Sequence, residues 1–255
     1  MMNLVKNAHE IEKMKEVNRL TASIFNVLDP IVKAGITTNE LDEIVKNYII
    51  QTLKARPAPL NYKGFPKSIC TSINHVVCHG IPDHSILRDG DIINIDVSIE
   101  KDGFYGDTSK MYCVGKCKPH ALRLVDLTQQ ALYLAIKAVK PGLPLNIIGK
   151  TIEEFATKHK LSVVREFCGH GIGRAFHEPP QVVHYADEEE SPILEPGMIF
   201  TIEPMINLGA RQIKMLGDGW TIITKDRSLS AQWEHTILVT SDGAEILTLR
   251  SDEKI

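Results

Sequence analysis

The chain has 255 residues, enough for one large domain or two fused halves and for a core that encloses a buried site. With 43% hydrophobic and 24% charged residues, wholesale disorder is excluded, and a formal charge of -3 with Lys and Arg spread along the chain argues against nucleic acid or an anionic membrane as main partner. No apolar stretch reaches the roughly 20 residues that span a bilayer, and charged residues from Lys6 to Arg19 interrupt the N-terminal pattern, so neither a signal nor a membrane helix is expected. The cysteines Cys70, Cys78, Cys113, Cys117 and Cys168 are odd in number, and Cys113 and Cys117 lack the C-x-x-C spacing, which fits reduced thiols in a cytosol.

Asn7 followed by Glu10 resembles a capping box, and Ile11, Met14, Val17, Ile24, Leu28 and Ile31 keep helical spacing, which predicts one long helix to Lys33. Thr37 with Glu40 opens a second helix through Leu41, Ile44, Val45, Tyr48, Ile49 and Leu53, ending before Pro57. Asp91 to Glu100 is β-rich, Lys101-Asp102-Gly103 is a turn signal, and Phe104 to Val114 returns as the second arm of an antiparallel hairpin. After His120 an apolar helix runs to about Val139, Pro141-Gly142 punctuates, and another helix carries Ile148, Ile152, Phe155 and Ala156.

The second half echoes the first. Lys33-Ala34-Gly35 matches Lys140-Pro141-Gly142 at an offset of 107 (140 minus 33), and Ile95-Asp96 matches Ile202-Glu203 at the same 107 (202 minus 95). His79-Gly80-Ile81 is echoed by His170-Gly171-Ile172 at 91 (170 minus 79), which requires loops of different length. A duplicated helix, helix, strand unit is expected, with halves of about 1–118 and 119–255 facing each other across a pseudo-twofold axis on which Asp96 and Glu203 converge.

Each of these acids has apolar flanks, Ile92, Ile93, Ile95 and Val97 for one and Met198, Ile199, Phe200 and Ile202 for the other. An even-length hairpin loop would place Asp96 and Asp107 on one face, where two carboxylates repel unless a cation or a proton separates them. Glu203 and Glu234 repeat the oddity of an acid in a β-type run, for which a structural salt bridge is the bland alternative. Because buried, uncompensated carboxylates cost several kcal/mol, a metal is the economical explanation.

His170 lies in the Gly-rich run Cys168-Gly169-His170-Gly171-Ile172-Gly173, with His177 seven residues on and a twin at His79. A lone His is more often structural, but this context favours function. His9, His75, His84, His120, His159 and His184 lack such a context and read as surface or packing residues. Four carboxylates and one imidazole make an oxygen-rich set suited to Mn, Fe, Co or Zn, and two divalent ions would balance the charge and activate a water between them. A two-metal hydrolase is expected. No H-E-x-x-H, G-x-S-x-G, Walker A or G-x-G-x-x-G signal supports a rival chemistry.

Val-Cys-His-Gly-Ile-Pro around His79, Asn-Ile-Asp-Val around Asp96, Gly-Asp-Thr around Asp107, Gly-His-Gly-Ile-Gly around His170 and Ser-Ala-Gln-Trp-Glu-His-Thr around Glu234 together resemble the type I methionine aminopeptidases of the short bacterial form. The resemblance runs from about residue 3 to residue 248. It implies an α+β pita-bread fold, with helices outside a central curved antiparallel sheet, as a single catalytic domain over 1–255. It implies that Asp96 chelates one divalent ion, His170 and Glu203 the other, and Asp107 and Glu234 bridge both. His79 and His177 would contact the scissile amide nitrogen and carbonyl oxygen, and Glu203 would transfer protons.

Tyr62, Phe65, Cys70, Phe176 and Trp220 match positions that line the methionine pocket in relatives. From residue type alone the aromatics would pass as core. Pro59 stands where many bacterial members carry Cys, and Phe65 where they carry Tyr. Asn74, Val76 and Ser230 match a monovalent-cation site (Na or K) of some relatives. The basic zinc-binding extension of eukaryotic type I members is absent, as is the type II insertion, with a spacing of only 31 between Glu203 and Glu234 (234 minus 203).

The implied function is removal of initiator Met from peptides and nascent chains whose second residue is small and uncharged. It implies a cytoplasmic monomer acting at the ribosome, with no nucleic acid as substrate and no membrane partner. The alternatives are a proline-directed exopeptidase on the same fold, which usually carries a separate N-terminal domain, and a binding scaffold that has lost catalysis. All five ligand positions remain, against the pattern of such scaffolds.

Overall fold

Asn7 caps the first helix, α1 (Ala8–Ser23): its Oδ1 accepts the Glu10 amide at 3.0 Å, and Glu10 Oε2 accepts the Asn7 amide at 3.1 Å. The helix stops earlier than its periodicity predicts. Thr21 and Ser23 hydroxyls bond back to the Val17 and Leu20 carbonyls, the Ile24 amide tightens onto Thr21 O, and the chain restarts as the short α2 (Phe25–Leu28), which buries Phe25 and Leu28. Thr37 and Glu40 form a second reciprocal cap on α3 (Thr38–Asn47), whose end widens into an i to i+5 turn through the Leu53 amide on Tyr48 O. The other helices are α4 (Pro119–Ala138), opened by a proline at its first position, and α5 (Ile147–Lys158).

The computed structural model describes residues 4–253; residues 1–3 and 254–255, the two ends of the domain expected over 1–255, lie outside the described residues. Its strands are β1 (Arg56–Pro57), β2 (Cys70–Ile73), β3 (Val76–Cys78), β4 (Ile92–Lys101), β5 (Phe104–Cys113), β6 (Ser162–Val163), β7 (Gly169–Gly171) and β8 (Glu178–Val182) in the first run. They continue as β9 (Ile199–Ile202), β10 (Met205–Asn207), β11 (Ile213–Met215), β12 (Ile222–Thr224), β13 (Ser230–Gln232), β14 (His235–Val239) and β15 (Ala244–Ile246).

The hairpin β4–β5 turns at Asp102-Gly103, both at positive φ (52° and 79°), the signature of a two-residue turn matched to strand twist. That turn sets Lys101 opposite Phe104, so Ser98 faces Asp107 and Asp96 faces Ser109. Asp96 and Asp107 therefore share a face, as the even loop requires, but as diagonal rather than direct neighbours. In the other ladder Ile202 pairs with His235 and Met205 with Gln232 in one continuous register. Glu203 and Glu234 thus oppose each other in the gap between β9–β14 and β10–β13, beside Pro204, which has no N–H to give the ladder.

β4 lies between β5 and β2, and β9 lies between β14 and β7, each triplet antiparallel. The register yields a different equivalence from the expected echo of His79 with His170. Cys70 pairs with Asp96, and extending the Gly171–Phe200 pairing puts Cys168 opposite Glu203. Cys70 and Cys168 are 98 apart (168 minus 70), as are His79 and His177 (177 minus 79), so the twin of His79 by strand position is His177. The similar Gly-Ile neighbours of His170 had masked it.

Apolar side chains of α1 and α3 form one buried cluster against β4, and those of α4 and α5 form another against β9, leaving the polar strand faces toward each other. α1 approaches β5 closely at Gly106, where a Cβ would stand 2.3 Å from Thr21 Oγ1 and 3.0 Å from Val17 O. Asn18 Oδ1 there accepts the Asp107 amide at 3.3 Å. Gly106→Ala should therefore destabilise the chain by about 1 to 3 kcal/mol, read from urea unfolding, because the buried Thr21 hydroxyl, tied to Val17 O, has to give way; an unchanged midpoint would mean that α1 does not hold this strand.

Candidate metal centre

Side chain to backbone bonds sew the two ladders together where their acids meet. Thr108 Oγ1 donates to Glu234 O at 2.7 Å, Thr236 Oγ1 donates to Asp107 O at 2.8 Å, and Asn94 Nδ2 donates to Gln232 O at 2.8 Å. Carboxylate oxygens of Asp96, Asp107 and Glu234 consequently lie within 4.8 Å of one another. His170 Nε2 stands 3.6 Å from Asp107 Oδ2 and 3.7 Å from Glu203 Oε1. All five acids and imidazoles expected at the centre thus meet at one place.

Each group is oriented by a neighbour. His170 Nδ1 bonds the Gly171 carbonyl at 3.0 Å, which keeps the proton on Nδ1 and turns the Nε2 lone pair to the carboxylates. Ser98 Oγ donates to Asp107 Oδ1 at 2.7 Å, and Thr201 Oγ1 donates to Glu203 Oε1 at 2.8 Å. His184, read from the sequence as packing or surface, is 1% exposed, and its Nε2 accepts the Glu203 amide at 3.1 Å. It replaces the ladder partner that Glu203 lacks at the strand break. Its only signal in the sequence was an imidazole in an apolar run, because the contact closes over 19 residues.

Removal from water pushes the Asp96 carboxyl up to about 7 and that of Glu203 up to about 8. Asp107 and Glu234 are driven well above the carboxylate range, first by burial and then by neighbouring negative charge, from Asp96 and Glu203 on Asp107 and from Asp107, Glu203 and Asp96 on Glu234. Desolvation moves the imidazoles the opposite way: His79 and His170 down to about 4, His177 and His184 down to about 3. Neutral imidazoles and carboxylates that resist ionising alone are what a divalent cation site looks like before its cation is counted. The set of hard oxygens and one imidazole fits two divalent ions, and no buried Lys or Arg among the described residues pairs with these carboxylates to supply the salt-bridge alternative.

A cavity of about 350 Å³ opens over the acids, lined by Tyr62, Phe65, Cys70, Phe176 and Trp220 as well as by His79 and His177. Phe65 and Trp220 meet edge to face at 5.2 Å, as do Tyr62 and Phe176 at 5.1 Å. Tyr62 Oη bonds His177 Nδ1 at 3.0 Å, and His79, held at a positive φ of 55°, packs edge-on to Phe167 and Trp220. Pro59 also lines the cavity. Of the monovalent-site positions, Asn74 O accepts the Ser230 amide at 2.9 Å, while Val76 lies on β3, which pairs with β12. The five cysteines are free thiols.

The pattern of metallopeptidase family M24 matches residues 12–241. The methionine aminopeptidase of Escherichia coli (strain K12) is 56% identical over 252 residues, spanning 98% of this chain and 96% of that protein. The crystal structure of methionine aminopeptidase from Rickettsia prowazekii superposes with a TM-score of 0.94 at 49% identity, covering 98% of this chain and all of that one. A prolidase from Pyrococcus furiosus, 20% identical, covers 97% of this chain and 66% of its own at a TM-score of 0.76, which shows a shared fold.

The pKa shifts have a measurable consequence for the metal-free chain. Asp96 and Glu203 titrate above their ordinary 3.8 and 4.5, so the folded chain holds more protons than the unfolded one up to about pH 8, and stability is lost as pH rises through about 7 to 8. The depressed imidazoles act oppositely, but only below their ordinary 6.5. Calorimetry of metal-free protein between about pH 6.5 and 8 should therefore show Tm falling, and added Mn(II) should raise Tm most at the alkaline end. A metal-free Tm flat across that window would mean that the carboxylates ionise freely.

Proposed function

The chain belongs to the methionine aminopeptidases of metallopeptidase family M24, and on that premise we propose that it removes the N-terminal Met from peptides and nascent chains whose second residue is small and uncharged. What carries the reading is one cavity that joins the four carboxylates and His170 to an aromatic-walled pocket with the Cys70 sulfur, suited to a thioether side chain.

In this reading Asp96 would hold one divalent ion, His170 and Glu203 the other, and Asp107 and Glu234 would serve both, whether Co, Mn, Fe or Zn is used. When bound, two such ions would polarise the scissile carbonyl and lower the pKa of water toward neutrality. Tyr62, Phe65, Cys70, Phe176 and Trp220 receive the methionine side chain and exclude water from it. His177 Nδ1 is engaged by the Tyr62 hydroxyl; with that hydroxyl donating, the neutral ring carries its proton on Nε2 and donates it toward the substrate carbonyl oxygen. His79, neutral near pH 7, approaches the amide nitrogen from the Trp220 side. Glu203 takes a proton from the attacking water and returns it to the leaving amine.

The same reading treats 1–255 as one catalytic domain with halves of about 1–118 and 119–255, acting as a cytoplasmic monomer on chains emerging from the ribosome. An Na or K ion at Asn74, Val76 and Ser230 belongs to it. Among the described residues no helix is long and apolar enough to cross a membrane.

Purified chain supplied with Mn(II) or Co(II) should release methionine from Met-Ala-Ser far faster than from a Met-Lys peptide. No metal-dependent release from the first would sink the reading, and preferential cleavage of Xaa-Pro peptides would favour a prolidase-type activity. His79→Ala should lower turnover about 100-fold or more while leaving Mn content per chain unchanged. Loss of metal together with turnover would make His79 a ligand instead.

A further inference from the structure

Near its C-terminus the chain turns a cation inward, behind the acids. Arg250 is 3% exposed and does not line the cavity. Its Nη1 donates to Thr108 Oγ1 at 3.0 Å and to Ser109 O at 3.1 Å, while Nη2 donates to Glu253 Oε1 at 2.5 Å and lies 3.3 Å from His235 Nε2. Thr108 directly follows Asp107 on β5, and His235 directly follows Glu234 at the start of β14. The Thr108 hydroxyl that accepts from Arg250 is the one that donates to Glu234 O. One guanidinium fork therefore grips, from two different sheets, the residues adjoining both carboxylates. Glu253 fixes the fork in turn, since its Oε1 also accepts the Tyr133 hydroxyl at 2.7 Å, and Thr248 Oγ1 orients His235 from its other nitrogen at 3.0 Å.

The charge of Arg250 is already matched by Glu253, its ion-pair partner, so what distinguishes the residue is the shape of its head group. Planar, bidentate geometry is what a lysine would not reproduce. We propose that Arg250 is a positioning residue, setting the spacing of Asp107 and Glu234 across the seam between the sheets through Thr108 and His235. The inference rests on the reading that those two carboxylates bridge divalent ions.

Charge and geometry are separated in one experiment, Mn(II) titration of the metal-free full-length chain by calorimetry, with the spin coupling of the Mn pair followed by EPR. R250K keeps the charge and loses the fork: Mn(II) affinity should fall about tenfold or more, with the coupled signal weakened. R250M loses both fork and charge and should bind at least as weakly as R250K, whereas a role through charge alone would leave R250K at wild-type affinity. T108V covers the case in which Arg250 variants do not fold; it should weaken binding as well, and T108S, which restores the hydroxyl, should recover it. Wild-type affinity in R250K or T108V, or tighter binding in R250M, overturns the inference alone. A wild-type chain that takes up no Mn(II) overturns the ligand reading and this inference with it.

Discussion

Four carboxylates gathered into one wall of a cavity, out of reach of bulk water, repel each other, and much of the molecule is organised around holding them there. Asp107 and Glu234 are almost fully buried, and Asp96 and Glu203 are half-buried. Isolated ionised groups in such surroundings would neutralise themselves by binding protons, which is the direction in which burial drives all four. A chain that keeps this arrangement stores unfavourable free energy that divalent cations release on binding, so metal affinity and folding are linked quantities here.

The backbone makes the arrangement possible by interrupting its own regularity. Pro204 withdraws a donor where Glu203 and Glu234 face each other, and hydroxyls of Thr108 and Thr236 with the His184 ring bond backbone groups at the seam. Threonines suit the task because a β-branched residue fits a strand while its hydroxyl reaches a neighbouring carbonyl. The apolar clusters under α1 with α3 and under α4 with α5 support the two ladders from outside, and supply the stability that the polar seam does not.

Desolvation works in opposite senses on the two residue types that share the cavity. It raises the carboxyls and lowers the imidazoles, so near neutral pH the histidines are uncharged donors and acceptors rather than cations competing for the acids. His170 Nδ1 is held by the Gly171 carbonyl, which turns its Nε2 lone pair to the carboxylates, and His177 Nδ1 is engaged by the Tyr62 hydroxyl.

Reciprocal caps at Asn7 and Thr37, the Asp102-Gly103 turn, the two later helices and the shared face of Asp96 and Asp107 were legible in the sequence, because each depends on residues close in the chain or on strand parity. The end of α1 was not, since the hydroxyls of Thr21 and Ser23 look helix-compatible until they bond backward. The four acids could be picked out as charges in β-type runs and His170 by its Gly-rich run, but that Glu203 opposes Glu234 in an interrupted ladder depends on a pairing register across 31 residues (234 minus 203). The positional equivalence of His79 with His177, the buried contact of His184 and the grip of Arg250 also came only from tertiary structure. Local pattern determines which elements form and which residues are out of place in them; only long-range packing, which closes loops at an entropic cost that no short window records, decides which of those residues meet.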